Sequence, residues 1–170
     1  MFSVFIDGDQ GTTGLRVRER LAGREDISLL SLPEETRKDL DARAAMARRA
    51  DATILCLPDA ASRELVAALG EEEGVILDAS TAHRTDPRFT YGFPELGAAQ
   101  AKAVSSARRI AVPGCHASGM IALAYPLIQA GILPLDAPLS FVSITGYTGG
   151  GNQMIAQYEA PGRSPQLDAP

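Results

Sequence analysis

One cysteine carries the clearest chemical signal in this chain. Cys115 lies in the run 112–119 (VPGCHASG), between an apolar stretch at 109–112 and a predicted helix at 117–129. A thiol at a strand-to-helix turn meets the unpaired N–H groups of the helix and the positive end of its dipole. Because both favour thiolate over thiol, the sequence predicts that Cys115 is a nucleophile.

The glycines near the N-terminus have the spacing of a dinucleotide-binding turn. Three of them, each separated from the next by two residues, follow an apolar strand predicted at 2–6 and precede a helical pattern at 15–21. The first allows a tight turn, the second lets a pyrophosphate approach, and the third brings helix and strand close together. The helix N–H groups then face the phosphates, unless the turn binds no ligand at all. The predicted cofactor-binding residues here are Gly8, Gly11, Thr12, Thr13 and Gly14.

The end of the second predicted strand, at 27–32, indicates which dinucleotide binds. An NAD enzyme usually ends this strand with an acidic residue that holds the ribose 2′-hydroxyl. Here the strand ends near Ser31, and the cations Arg37 and Lys38 follow. A hydroxyl and two cations suit a 2′-phosphate, so we predict that the cofactor is NADP. The acidic pair at 34–35 could hold the ribose instead, and Arg37 and Lys38 could equally be solvated.

Alternating strand and helix patterns predict the fold. Strands are expected at 2–6, 27–32, 51–57 and 74–79, and helices at 15–21, 42–50 and 60–69. This alternation predicts an α/β fold, a doubly wound parallel sheet of the Rossmann type. Ligands bind such sheets at the carboxyl ends of the strands, here at Gly8, Ser31, Pro58 and Ser80. A nucleophile beside a dinucleotide turn predicts covalent catalysis coupled to hydride transfer.

A further apolar strand is predicted at 139–144, and a glycine-rich loop follows it at 145–151 (TGYTGGG). The loop lacks dinucleotide spacing. It fits either a backbone that approaches a ligand or a flexible turn. Cys56 lies inside the third predicted strand, where a small buried hydrophobic residue is expected.

The composition excludes several classes of protein. The 170 residues are 45% hydrophobic, as in a globular protein, and the net charge of −5 leaves no basic surface for nucleic acid. No apolar run approaches the ~20 residues of a membrane span, and the chain starts with a strand rather than a signal peptide. Cys56 and Cys115 fit a reduced, cytoplasmic protein, and His83 and His116 do not make a metal cluster.

Five motifs follow one another along the chain: 7–14 (DGDQGTTG), Asp78-x-Ser80-x-x-x-Arg84, 91–96 (YGFPEL), 113–119 (PGCHASG) and 146–151 (GYTGGG). In this order they resemble the N-terminal portion of the N-acetyl-γ-glutamyl-phosphate reductase family, in its short, type 2 form. The cysteine run and the glycine-rich loop are the more diagnostic motifs, since many dehydrogenases share the glycine turn. The family belongs to arginine biosynthesis and is related to aspartate-semialdehyde dehydrogenase.

The resemblance implies a cytoplasmic oxidoreductase that uses NADPH to reduce N-acetyl-glutamyl 5-phosphate to the 5-semialdehyde. The Cys115 thiolate attacks the acyl phosphate, phosphate leaves, and hydride from the nicotinamide resolves the thioester. Arg84 is the candidate that binds the substrate's phosphate or carboxylate, although it could equally cap a loop. Glu95 could orient a substrate amide or cap a helix. The resemblance also implies a homo-oligomer in the full-length form, Gly149 and Gly150 as cofactor contacts, and Ser80 and Gly146 as substrate contacts.

The same resemblance predicts two domains. Residues 1–114 bind the dinucleotide, and 115–170 begin an α+β catalytic and dimerisation domain of which only the start is present. The family's general acid/base is a histidine beyond the glycine-rich loop. Neither His83 nor His116, which we interpret as structural, stands there, so residues 1–170 alone are expected to be inactive. Two alternatives stay open: a related semialdehyde dehydrogenase acting on another acyl phosphate, and a non-catalytic dinucleotide-binding module.

Overall fold

A six-stranded parallel sheet forms the centre of the computed structural model, which describes residues 1–70 and 73–162. Neighbouring strands follow the order β2-β1-β3-β4-β6-β5, and each paired neighbour is parallel. This arrangement confirms the predicted Rossmann-type sheet. The strands are β1 (Phe2–Asp7), β2 (Ile27–Leu30), β3 (Ala52–Leu55), β4 (Ile76–Asp78), β5 (Thr90–Tyr91) and β6 (Arg109–Ala111).

Helices connect most successive strands, as parallel pairing favours, whereas a loop alone joins β4 to β5. Those in the described residues are α1 (Thr12–Leu21), α2 (Leu40–Arg49), α3 (Asp59–Leu69), α4 (Ala98–Ser106), α5 (Cys115–Gln129) and α6 (Gly151–Glu159). The helix predicted at 117–129 therefore begins two residues earlier, at Cys115 itself. In this described part of the chain, no helix has the length and apolar character needed to cross a membrane.

The strand order opens a crevice between β1 and β3. The chain leaves β1 toward β2 on one side and then returns to place β3 on the other. Ligands bind such sheets in the crevice at this switch point, outside the carboxyl ends of the strands. Asp7 pairs in register with Leu55, so Gly8 lies directly beside Cys56 at that edge.

The core lies between the sheet and the helices that cover it. Leu55 and Leu65 are completely buried, and Ile76 on β4 is 1% exposed. The face of α2 toward the core is lined by alanines, Ala44 and Ala47, whose small side chains allow the helix to approach closely. Burial of Leu and Ile side chains stabilises the fold by roughly 1.5–3 kcal/mol each.

A buried ion pair ties α2 and α3 to the end of β1. Arg43 Nε donates to Asp7 Oδ2 at 2.8 Å, and the side chains of both residues are 5% exposed. Arg43 Nη2 also donates to the carbonyl oxygen of Ala61 on α3, at 3.2 Å. Burial raises the pKa of Asp7 above its ordinary value, and the hydrogen bond from Arg43 opposes that rise. The pair thus anchors the residue immediately before the glycine turn.

The predicted strand at 139–144 is wrong. The structure has no strand there, and Val142 and Ile144 are 88% and 94% exposed. The pattern is apolar enough for a strand, but a strand needs a neighbouring backbone to pair with, and none of the described strands lies alongside. Conversely, β5 and α4 were not predicted, because a two-residue strand gives no periodic pattern and α4 is an alanine-rich helix of low amphipathic contrast.

We expect replacement of one member of the Asp7–Arg43 pair to destabilise the protein more than replacement of both. Asp7→Asn or Arg43→Met alone should lower the free energy of unfolding by about 3–5 kcal/mol, because each leaves one buried charge without its counter-charge. Replacing both with apolar residues, Asp7→Leu with Arg43→Met, should cost clearly less. Urea denaturation followed by circular dichroism measures all three.

Glu19→Gln is the matched control, since it breaks the exposed Arg16–Glu19 pair on α1. It should change stability by less than about 1 kcal/mol. The interpretation fails if Asp7→Asn costs no more than this control.

Candidate active site

The glycine turn has the geometry that a dinucleotide needs. A Cβ on Gly8, which has φ +88°, would collide with the carbonyl oxygen of Cys56, and one on Gly14 would collide with Gly8. A Cβ on Gly11 would make only ordinary contacts, 3.4 Å from the Gly8 carbonyl oxygen. Gly8 and Gly14 are therefore required for packing, whereas Gly11, the N-cap of α1, leaves the first-turn N–H groups open to a phosphate.

A cleft of about 280 Å³ lies over this turn. Gly8 and Gly11 form its floor, Arg37 and Lys38 come from the segment after β2, and Asn152 comes from the start of α6. The glycine-rich loop before α6 is therefore close to the predicted cofactor site, although Gly149 and Gly150 themselves do not line the cleft. Asn152 was missed from sequence, because nothing in the loop pattern shows which residue reaches back.

The end of β2 opens into a second cavity, of about 290 Å³. Ser31 and Arg37 line it, and so does Glu34, one of the acidic pair that could hold the ribose instead. Lys38 does not, and lines only the cleft over the glycine turn. Arg18, which the sequence analysis did not select, takes the place of the second cation in this cavity.

Cys115 is the first residue of α5, and it is exposed. The helix runs 15 residues to Gln129, and its N-cap is Gly114, which has no side chain to satisfy the first-turn N–H groups. Ser118 donates from both its backbone N and its Oγ to the Gly114 carbonyl oxygen, at 2.9 Å in each case. These bonds hold the turn, and the first-turn N–H groups, which no side chain caps, make the helix start electropositive at Cys115.

Arg84 braces the turn that carries Cys115. Its Nε and Nη2 donate to the carbonyl oxygens of Val112 and Ala79, each at 3.1 Å. A Cβ on Gly114 would lie 2.6 Å from Arg84 Nη1, so glycine there makes room for the guanidinium. Arg84 thus joins the carboxyl ends of β4 and β6, and one edge of its guanidinium lies against the turn before Cys115.

A buried carboxylate organises the loop between β4 and Arg84. Asp78 Oδ2 accepts hydrogen bonds from Ser62 and Ser80 hydroxyls at 2.8 and 2.9 Å, and lies 2.5 Å from His83 Nδ1. The His83 ring stacks on Phe89, with 4.3 Å between centroids. The hydroxyl of Ser80 therefore donates its hydrogen bond to a carboxylate inside the protein. The sequence motif pointed to Ser80 and Arg84 but not to this network, because one of its members, Ser62, lies 16 positions before Asp78.

The other predicted site residues lie in several different helices and turns. Pro58 is the N-cap of α3. Glu95 is exposed in a 3₁₀ turn at Pro94–Leu96. Gly146 caps a second 3₁₀ turn at Tyr147–Gly150, which contains Gly149 and Gly150. Thr12 and Thr13 are the first two residues of α1.

The two thiols have different environments. Cys56, half-buried beside β3, has its pKa raised to about 11 by burial and by the nearby carboxylates Asp7 and Asp78. Cys115 is exposed at a helix start. His116, next to it, contacts the Ser143 hydroxyl through Nδ1, which agrees with a structural interpretation.

The glycine turn and Cys115 lie at the same edge of the sheet. β1 and β6 are three strand spacings apart, about 14 Å, and both end at the carboxyl edge. Dinucleotides bind across the crevice at this edge, so a cofactor held at the glycine turn extends toward the later strands. The arrangement can bring a bound dinucleotide and a thiol to one substrate.

Comparison with known sequences identifies the family. Residues 10–104, more than half of the chain, match the sequence family described as semialdehyde dehydrogenase, NAD binding domain. The chain belongs to this family. The match covers the second and third glycines of the turn and therefore supports a nicotinamide dinucleotide site there. It ends before Cys115 and says nothing about the role of that residue.

Curated relatives resemble almost all of the chain. N-acetyl-gamma-glutamyl-phosphate reductase 2 of Pseudomonas putida is 50% identical over 94% of this chain and 51% of its own. The N-acetyl-gamma-glutamyl-phosphate reductase of a Chelativorans species is 51% identical over 98% of this chain and 53% of its own. The chain therefore spans about half the length of the curated relatives it matches.

A solved structure shows the same fold. Aspartate semialdehyde dehydrogenase II of Vibrio cholerae aligns with a TM-score of 0.64 at 18% identity, over 92% of this chain and 50% of that one. At that identity the likeness concerns the fold alone, and it confirms the predicted architecture.

We expect the two thiols to react at very different rates with iodoacetamide. At pH 8 only about one Cys56 side chain in a thousand is thiolate, because its pKa is about 11, whereas Cys115 is exposed. Peptide mass spectrometry over a time course should show Cys115 modified at least tenfold faster. In Cys115→Ser, only the slow modification should remain, and rapid labelling of Cys56 would contradict the structure.

Proposed function

We propose that the protein to which this chain belongs is an N-acetyl-γ-glutamyl-phosphate reductase. The observation that carries the proposal is Cys115 at the first position of α5, at the same sheet edge as a dinucleotide-binding glycine turn. Relatives about 50% identical over nearly the whole chain carry that name. The reaction is the NADPH-dependent reduction of an acyl phosphate to a semialdehyde in arginine biosynthesis, and we place it in the cytoplasm.

Cys115 is the proposed nucleophile. Its thiolate attacks the carbonyl carbon of the acyl phosphate, the bond from that carbon to the phosphate oxygen breaks, and inorganic phosphate leaves. The first-turn N–H groups of α5 stabilise the oxyanion that forms on the way to the thioester. NADPH supplies the hydride that reduces the thioester, which releases the aldehyde and returns the thiolate.

The substrate contacts are proposed from the surroundings of Cys115. Arg84 has two of its nitrogens engaged by backbone carbonyls, so the edge that faces Gly114 is the part available to a phosphate or carboxylate. Ser80 was predicted as a substrate contact, but its hydroxyl donates to Asp78 Oδ2, so we propose that it holds the loop before Arg84 in place. Glu95, exposed on its 3₁₀ turn, and Gly146 remain proposed substrate contacts.

NADP is the proposed form of the cofactor. Ser31 and Arg37 line the cavity at the end of β2, where an adenosine ribose lies in this type of sheet. Lys38 lines the adjoining cleft over the glycine turn and suits the pyrophosphate. Pro58, Gly149 and Gly150 are proposed to contact the remainder of the cofactor.

We further propose that residues 115–170 begin a second, catalytic domain, after a dinucleotide-binding domain at 1–114. Residues 163–170 lie outside the described part of the chain. Support comes from apolar side chains left exposed after Cys115, among them Leu123 at 68% and Ile132 at 71%. Soluble domains rarely expose such a patch unless another surface covers it. A homo-oligomer of the full-length protein is proposed on the same ground.

We expect Cys115→Ser to abolish acyl-enzyme formation, since a serine hydroxyl is a far weaker nucleophile without an adjacent base. The measurement is NADPH oxidation by the natural full-length gene product with N-acetyl-γ-glutamyl phosphate, with trapping of the covalent intermediate by intact-protein mass spectrometry. Cys56→Ser is the control and should retain both signals, because Cys56 is the thiol with the raised pKa.

Three outcomes would overturn the proposal. If Cys115→Ser keeps wild-type turnover, Cys115 is not the nucleophile. If aspartyl phosphate is reduced faster than N-acetyl-γ-glutamyl phosphate, the protein is a semialdehyde dehydrogenase of another specificity. Dinucleotide binding with no reaction of either substrate would indicate a binding module.

We expect the unmodified protein to bind NADPH more tightly than NADH. Replacement of Arg37 and Lys38 by alanine should weaken NADPH binding more than NADH binding, because both cofactors carry the pyrophosphate proposed for Lys38 and only NADPH carries the 2′-phosphate proposed for Arg37. The physical reason is the loss of charge-assisted hydrogen bonds to phosphate, each contributing about 1.5–3 kcal/mol. Fluorescence titration of the two reduced cofactors measures the affinities. Tighter NADH binding by the unmodified protein would remove the preference.

A further inference from the structure

We propose that Arg18 determines specificity for the 2′-phosphate of the dinucleotide and that Asp9 competes with that phosphate for Arg18. This inference rests on the proposed NADP preference. It assigns the second cation of the site to α1 rather than to the segment after β2. In this proposal the carboxylate of Asp9, in the glycine turn, also affects which cofactor binds.

The cavities at the end of β2 place Arg18 in the site. Two adjoining cavities, of about 250 and 290 Å³, are both lined by Asp9, Arg18 and Ser31. Arg37 lines the cavity of about 290 Å³ as well. A group that extends from the ribose toward the Ser31 hydroxyl therefore enters a space with a guanidinium on α1 and another on the segment after β2.

The position of Arg18 follows from the helix. Arg18 lies two turns beyond the Gly11 N-cap, and side chains of a helix lean toward its N-terminus. Its guanidinium thus returns toward the glycine turn, where Nη1 donates to Asp9 Oδ2 at 2.9 Å. Asp9 is one residue beyond Gly8, so its carboxylate is tied to the cofactor-binding loop.

Each guanidinium in the cavity already has a carboxylate. Arg18 pairs with Asp9, and Arg37 pairs with Glu34 at 3.1 Å. A phosphate dianion can therefore bind only if it replaces these carboxylates or shares the guanidinium groups with them. Breaking the Arg18–Asp9 pair costs little free energy, because the Arg18 side chain is 50% exposed and ion pairs in contact with water contribute little to stability.

The exchange also distinguishes the two cofactors. A phosphate with two oxygens toward one guanidinium makes a bidentate contact, which is stronger than a single carboxylate bond. A bare 2′-hydroxyl offers no charge that could displace Asp9 from Arg18. The carboxylate of Asp9 consequently opposes the phosphorylated cofactor by repulsion and by competition, while Arg18 favours it.

The test measures dissociation constants of NADPH and NADH by fluorescence titration of the natural full-length gene product. Arg18→Ala should weaken NADPH binding about tenfold and change NADH binding less than twofold, through loss of one charge-assisted contact. Asp9→Asn should tighten NADPH binding about threefold. Arg20→Ala is the matched control, since Arg20 lies on the same helix and lines neither cavity. It should change neither constant more than twofold.

The outcomes separate this inference from the function on which it rests. Equal losses for both cofactors in Arg18→Ala, or no loss for NADPH, overturn the role of Arg18. Weaker NADPH binding by Asp9→Asn overturns the competition. If Arg18→Ala lowers the melting temperature, Arg18→Gln repeats the comparison with the aliphatic stem retained. Tighter NADH than NADPH binding by the unmodified chain removes the proposed NADP preference itself, whichever variants respond.

Competition by adenosine fragments gives a second readout. Adenosine 2′,5′-bisphosphate should displace NADPH more effectively than AMP, and Arg18→Ala should reduce that advantage about tenfold. An unchanged advantage would show that the 2′-phosphate does not contact Arg18.

Discussion

The close approach of β1 and β3 at the carboxyl edge is the constraint on which the rest of the site depends. Gly8 leaves no room for a side chain against the Cys56 carbonyl oxygen, and Gly14 leaves none against Gly8. The first turn of α1 can therefore start directly over the crevice, with its N–H groups directed into it. Any side chain at these positions would push the helix away and separate the phosphate-binding turn from the switch point.

Two buried acids hold the loops at this edge, each with a different kind of partner. Asp7 lies before the glycine turn and is paired with a guanidinium, whereas Asp78 lies after β4 and is surrounded by hydroxyls and an imidazole. Burying a carboxylate without such partners would cost several kcal/mol. Each network consequently specifies the path of a loop: Asp7 the approach to the cofactor turn, and Asp78 the approach to Arg84.

Arg84 connects the loop after β4 with the turn before Cys115. It bonds the carbonyl oxygens that follow β4 and β6, and it occupies the space that Gly114 leaves empty. The position of Cys115 is thus set by its neighbours across the sheet edge as well as by its own helix. A guanidinium used in this way both holds the turn and places a positive charge near Cys115, so the two interpretations of Arg84 are compatible.

Local sequence was sufficient for the features that depend on near neighbours. The spacing of Gly8, Gly11 and Gly14, the thiol at a strand-to-helix turn, and the alternation of strands and helices are short-range patterns, and the structure confirms where they lie. They are readable because helix starts and tight turns depend on a few adjacent residues.

Tertiary structure alone decided which polar groups meet. Arg43 reaches Asp7 from 36 positions away, Arg18 rather than Lys38 lines the cavity beside Ser31, and an apolar run at 139–144 forms no strand without a neighbour. Such pairings depend on strand order and helix packing, which bring distant residues together. The sequence by itself determined that this chain carries a dinucleotide turn and a candidate nucleophile. The fold determined how their charges are partnered, because burial and distance set the energy of a charge.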